Sequence, residues 1–491
     1  MIITPRAPIL RKLGIHKTSG KNEKASMSPL DGTHPISLPM RFAKIKTDIV
    51  SGKEEAISAS WKRLLHALRE EVDCIASHNP DIIPTIDFKD ISNTAKAECF
   101  SRDLRKRGAG IIRGVIPQEE ALGYKREAIE YLASNPQTRA FPAAAPQLYE
   151  LYWSPPQIKA RAHPRLLAAQ RFAMNTWRPS RPGAPVTPDF PVTYADRLRM
   201  RAPGDASLSA AAHVDGGSVE RWEPDGYGRA GTYAAVLGGA WEAYDPWDSS
   251  ARLRVTSDLY NGAGSCSLFR MFQGWLALSR IAPGEGSLLV CPMLQLATAY
   301  FLLRPFFSPR QAPVMAGQGF LDEANWVLDR AQTSVLHGAL PSYMQELNSV
   351  LHPHLQLDRS LVPIPAVEPG DYVIWHPDLI HKVDEVHRGQ LDSSVMYIPA
   401  CPLTQTNALF LSRQRKAFLL GYPGPDFEGG KGESSHMGRP GVQEINDAGG
   451  EDALRAMGLM PWEEEEASSD SEREVLAVAN AILFPDQFDM I

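Results

Sequence analysis

The chain has 491 residues, 43% hydrophobic and 22% charged, a composition that lets most of its length bury a core. Its net charge of −6, with no basic stripe interleaved with aromatics, argues against nucleic acid as a partner. The cysteines at 74, 99, 266, 291 and 401 lack C-x-x-C spacing, which argues against a disulfide framework or a zinc ribbon and fits a reducing, cytoplasmic location.

Residues 1–38, rich in Ser, Pro, Gly and Lys, are expected to form a disordered basic tail. The run Arg6, Arg11, Lys12, Lys17 and Lys21 has the composition of a mitochondrial transit peptide, but Pro5 and Pro8 weaken the helix such a signal needs, so a mitochondrial location is the alternative. Apolar residues at helical spacing predict a helix over 48–76, and Pro80 and Pro84 end that pattern. A strand over 82–88, a helix over 92–106 and a strand over 110–116 follow, then helices over 118–134 and 163–177. From about residue 194 short strands dominate: 208–212, 268–278, 287–292, 372–375 and 394–399. The apolar stretch 288–303 is interrupted by Pro292 and Gln295 and is too short to span a bilayer. Helical patterns at 321–328 and 343–351 predict a helical insertion over about 293–360. Residues 421–491 form a Gly-rich and acidic C-terminal extension whose amphipathic end, 472–483, is expected to dock back on the core.

His213-Val214-Asp215 closes one extended run, and residues two apart on a strand share a face, so a single strand offers an imidazole and a carboxylate together. With 13 His in the chain, chance supplies roughly one such triplet, and His376-Pro377-Asp378 is a second. Pro377 breaks the strand that would align that rival pair. A Gly370-Asp371 turn opens the strand Tyr372-Val373-Ile374-Trp375, beyond which His381 brings a second imidazole. Two imidazoles and one carboxylate on one face leave open positions on a bound iron(II). His352-Pro353-His354 is expected to be a pair of solvated turn histidines, and Trp222 and Trp275 to be core aromatics.

The pattern of His213, Asp215 and distant His381 resembles the iron(II)/2-oxoglutarate-dependent dioxygenase superfamily, and Ile380-His381-Lys382-Val383 carries its His-x-Val signature. Pro84-Thr85-Ile86-Asp87-Phe88 and Gly110-Ile111-Ile112-Arg113-Gly114-Val115 are similar to its N-terminal entry motif. The segments 269–278 and 370–383 more narrowly resemble the domain-of-unknown-function 1479 family. The resemblance covers about residues 82–405 and implies an α+β protein with a double-stranded β-helix (jelly roll, cupin-like) core and N-terminal and inserted helices. Its oxygenase domain would occupy 39–420.

The resemblance also implies His213, Asp215 and His381 as ligands of Fe(II), 2-oxoglutarate as co-substrate with O2, and hydroxylation of a small organic molecule with release of succinate and CO2. Many members carry an arginine after the distal histidine for the far carboxylate of 2-oxoglutarate; here that stretch is Leu391-Asp392-Ser393-Ser394-Val395-Met396-Tyr397. Arg270, inside an aromatic run, is the substitute candidate, whereas Lys382 and Arg388 look solvent-facing. A cupin-like metalloprotein with non-oxidative chemistry and a non-catalytic binding protein on the same barrel are the alternatives.

Overall fold

The computed structural model describes residues 34–207, 210–262, 266–427 and 430–488. Its centre is a pair of sheets with helices packed around them. The larger has eight strands in the order Thr85–Asp87, Ala109–Arg113, Tyr372–Trp375, Gln273–Ala277, Ser393–Tyr397, Leu198–Arg201, Leu148–Tyr149 and Ala140–Phe141. The smaller has five: Gln345–Glu346, His213–Val214, His381–Val383, Leu288–Val290 and Val362–Pro363. From Leu198 onward the chain repeatedly changes sheet. Leu198–Arg201, Gln273–Ala277, Tyr372–Trp375 and Ser393–Tyr397 lie in the larger, and the strands that follow the first three of these lie in the smaller.

The expected strand, helix and strand near the N-terminus form a parallel pair, Thr85–Asp87 with Ala109–Arg113, joined by the helix Thr94–Arg107. This unit extends the larger sheet through the antiparallel register of Ile112 with Tyr372. The turn before Tyr372 needs Gly370, whose φ is +93°, and Asp371 serves the turn by accepting from the backbone N–H groups of Gly114 and Glu368. The helix Glu54–His78 buries Ile57, Trp61, Leu64, Leu65, Leu68, Val72 and Ile75 and packs against the helix Leu294–Leu303. That second helix is buried on nearly all sides, which accounts for the apolar stretch. Among the described residues no helix is long and apolar enough to cross a membrane.

Residues 1–33 of the expected tail lie outside the described residues, as do Leu208 and Ser209 of the expected strand before His213. At the end of the expected tail, Ser37 already bridges to Val335 and Leu38 is buried. The helical insertion over about 293–360 needs correction. The stretch opens with the helix Leu294–Leu303, but neither expected helix forms: Trp326–Leu328 pairs antiparallel with Phe307–Pro309, and Gln345–Glu346 pairs with His213–Val214. Pairing with a waiting strand edge outweighs the helical spacing of a few apolar residues. The described residues between 421 and 488 are built into the body of the protein. Helix Val442–Ala456 packs on helix Pro155–Ala162, and Asp470–Leu483 packs on Gln405–Leu420, as expected for a docked end. All five cysteines are free.

Candidate metal centre

His213 and His381 face each other across two neighbouring antiparallel strands, in direct register. Their ring centroids are 4.4 Å apart. Asp215, two residues beyond His213, places Oδ1 3.9 Å from His213 Nε2 and Oδ2 3.4 Å from His381 Nε2. One donor atom from each of the three residues lies within 4.8 Å of the others. Each imidazole is oriented in the same way: Nδ1–H donates to the carbonyl two residues earlier, Ala211 at 2.8 Å and Leu379 at 2.9 Å. That assignment leaves both Nε2 lone pairs free to meet a cation beside the carboxylate.

Electrostatics favour the ligating protonation states. Burial and the neighbouring His381 hold His213 below the usual imidazole range. Burial alone would raise the Asp215 carboxyl, but the adjoining imidazoles of His381 and His213 and the charge of Arg270 hold it well below its ordinary value. The side-chain amide of Gln273, from the larger sheet, donates to Asp215 Oδ2. The three residues line a cavity of about 630 Å3 between the sheets, with Gln273, Trp275 and Tyr397 on the opposite wall.

A model of the Gig2-like family matches residues 36–459. The chain belongs to the Gig2-like family. This Gig2-like chain is 31% identical over 401 residues to the Escherichia coli (strain K12) protein YbiU, covering 79% of this chain and 88% of that protein. It is similar to the crystal structure of GlcNAc Inducible Gene 2 (DUF1479) from Candida albicans, with a TM-score of 0.81 and 31% identity over 93% of this chain and 97% of that one. A hypothetical protein from Escherichia coli is similar with a TM-score of 0.72 and 31% identity, over 87% and 99% of the two chains. The resemblance of segments 269–278 and 370–383 to the domain-of-unknown-function 1479 family is borne out.

In this Gig2-like chain Arg270 lines the same cavity and forms no hydrogen bond or ion pair among the described residues. Across the strand from Ser393, within the stretch 391–397 that lacks an arginine, stands Arg201. Its guanidinium is already engaged by Asp205 at 2.9 Å and by the carbonyls of Asp384 and Glu385. Lys382 corrects its solvent-facing reading: it lines the cavity and is 23% exposed, because the strand His381–Val383 forms the cavity wall. Arg388 is exposed as expected. Trp275 reaches the cavity, whereas Trp222 is buried and donates to the Leu302 carbonyl at 3.0 Å.

His352 and His354 are buried rather than solvated, since the turn that carries them folds under Tyr300, whose hydroxyl meets His354 Nδ1 at 3.1 Å. The rival triplet is a structural brace. His376 stacks on Trp177 and donates from Nε2 to the Pro246 carbonyl at 3.0 Å. Asp378 accepts from Arg252 at 2.6 Å and from the Tyr233 and Tyr244 hydroxyls, with Arg221 at 3.9 Å. Arg221 in turn donates to the backbone carbonyls of Asp215, at 2.8 Å, and Gly217. The second triplet therefore steadies the chain that carries the first. Gln273 and Arg221 were missed from sequence; the alternation Gln273-Gly274-Trp275 in a buried strand was the available signal for the former.

Proposed function

We propose that this protein is an iron(II)/2-oxoglutarate-dependent oxygenase acting on a small organic molecule, built on a jelly-roll core. The repeated exchange of strands between the two sheets supports the jelly-roll reading. The observation that carries the function is the convergence of His213 Nε2, His381 Nε2 and the Asp215 carboxylate on one cavity, with both Nδ1 atoms committed to backbone carbonyls. This donor set fits iron(II): two neutral imidazoles and one carboxylate from one face, with the cavity on the other side. When bound with 2-oxoglutarate and O2, the iron would supply oxidative decarboxylation to succinate and CO2 coupled to oxygenation of a C–H bond. The chain's own part is positioning. Gln273 fixes the carboxylate, Arg221 fixes the backbone behind it, and Arg270 is assigned to the far carboxylate of 2-oxoglutarate.

Anaerobic titration with iron(II) and 2-oxoglutarate tests the proposal through the metal-to-ligand charge-transfer absorption of their complex. The band is expected in the wild type and lost in Asp215→Ala, and its absence at saturating concentrations of both would reject the reading. Metal-dependent turnover without oxygen would instead indicate non-oxidative chemistry. Arg270→Ala is expected to weaken 2-oxoglutarate binding while iron(II) binding persists; unchanged 2-oxoglutarate affinity would remove Arg270 from that role.

A further inference from the structure

A second chamber, of about 660 Å3, adjoins the metal cavity, and Cys266 and Arg270 line both. Gly216, the residue after Asp215, is also part of its wall. The lining has four guanidiniums, Arg229, Arg252, Arg254 and Arg270, against one carboxylate, Asp258. No ion pair engages Arg229, Arg254 or Arg270 among the described residues, and Arg229 and Arg254 are exposed at the protein surface. Behind the wall, the buried Asp378 is shared by Arg252 and Arg221, two cations on one anion. Trp177, Tyr227 and Phe269 supply apolar surface in the same chamber.

Arg229 and Arg254, exposed guanidiniums in a concave wall with no carboxylate paired to them among the described residues, leave positive charge that a ligand of opposite sign would neutralise. We infer that this chamber seats an organic anion, with a carboxylate or phosphate end and an apolar body, and that this anion is the primary substrate. The substrate role rests on the oxygenase reading above; the anion site itself does not. Arg229 and Arg254 would hold the anionic end, and the aromatic wall the body, beside the segment that carries Asp215.

The test is calorimetric titration of the full chain with inorganic phosphate and with phenyl phosphate, without metal and again at saturating 2-oxoglutarate. Saturable binding is expected, tighter for phenyl phosphate because of its ring, and unaffected by 2-oxoglutarate. The double variant R229A/R254A is expected to weaken phenyl phosphate binding roughly tenfold or more, whereas R229K/R254K, which keeps the charge but not the planar fork, loses less. Both positions are exposed, so the melting temperature should not move. No saturation by about 20 mM, or equal affinity in the double alanine variant, would overturn the site. Complete competition by 2-oxoglutarate would overturn it too, by giving the arginines to the co-substrate. The iron–2-oxoglutarate absorption, recorded on the same preparation, separates the two readings. A band without phenyl phosphate binding rejects only the anion chamber. Binding without a band rejects the substrate role while the chamber stands.

Discussion

Asp378 shows how much one carboxylate can organise. Burial would push its carboxyl up, but Arg252, His376 and Arg221 outweigh that and hold it down, so it stays charged among buried cations. Asp378→Asn leaves two guanidiniums without their counter-charge and is expected to cost about 3–5 kcal/mol in a denaturant titration. A loss below about 1 kcal/mol would show that the brace is dispensable. Gln273→Ala is expected to lower iron(II) affinity roughly ten- to a hundredfold, measured against a competing chelator, while Gln273→Glu alters the charge at the centre instead. Equal affinity for the alanine variant would mean that its amide orients nothing. The grouping of His213, Asp215 and His381 was legible because two-residue periodicity and a Gly-Asp strand start are local signals. Gln273 and Arg221 were not, since what they hold is fixed by sheet pairing and a loop that only the fold brings into place.

Elements with strong local signals were the easiest to anticipate, even where their partners are distant in the chain. The helix Gln118–Ser134 agrees with its expected bounds, and Tyr372–Trp375 with its strand, because length, apolar spacing and the Gly-Asp turn agree there. The stretch around Tyr343 failed because Gln345–Glu346 is extended only by pairing with Val214 and His213. The long helix Glu54–His78 earns its place through one residue above all: Trp61 is fully buried and stacks on Phe307, with centroids 4.4 Å apart. Trp61→Ala is expected to destabilise the protein by about 3–5 kcal/mol, read as a fall in denaturation midpoint. A change under about 1 kcal/mol would show that the helix docks without it.

Across the whole molecule, buried histidines set the acid limit. Burial lowers His352, His354 and His376 to about 3 from the ordinary 6.5. The unfolded chain takes up those protons near pH 6.5 and the folded one does not. Stability from these groups is therefore complete above 6.5 and falls by roughly 1.4 kcal/mol per pH unit for each as pH drops toward about 3. Glu433, raised by burial to about 7, works in the opposite direction, its contribution being lost as pH rises from 4.5 through about 7. The melting temperature is expected to fall between pH 6.5 and about pH 5, less steeply in His376→Gln. A flat profile would show that these imidazoles titrate normally. The placement of His213 opposite His381 has a topological consequence. The two positions are 381 − 213 = 168 residues apart in the chain, so an ion gripped by both closes that loop much as a covalent cross-link would. A chain clipped at the exposed Val314–Met315 site would leave one imidazole on each fragment, and a loaded centre would rivet the two pieces together.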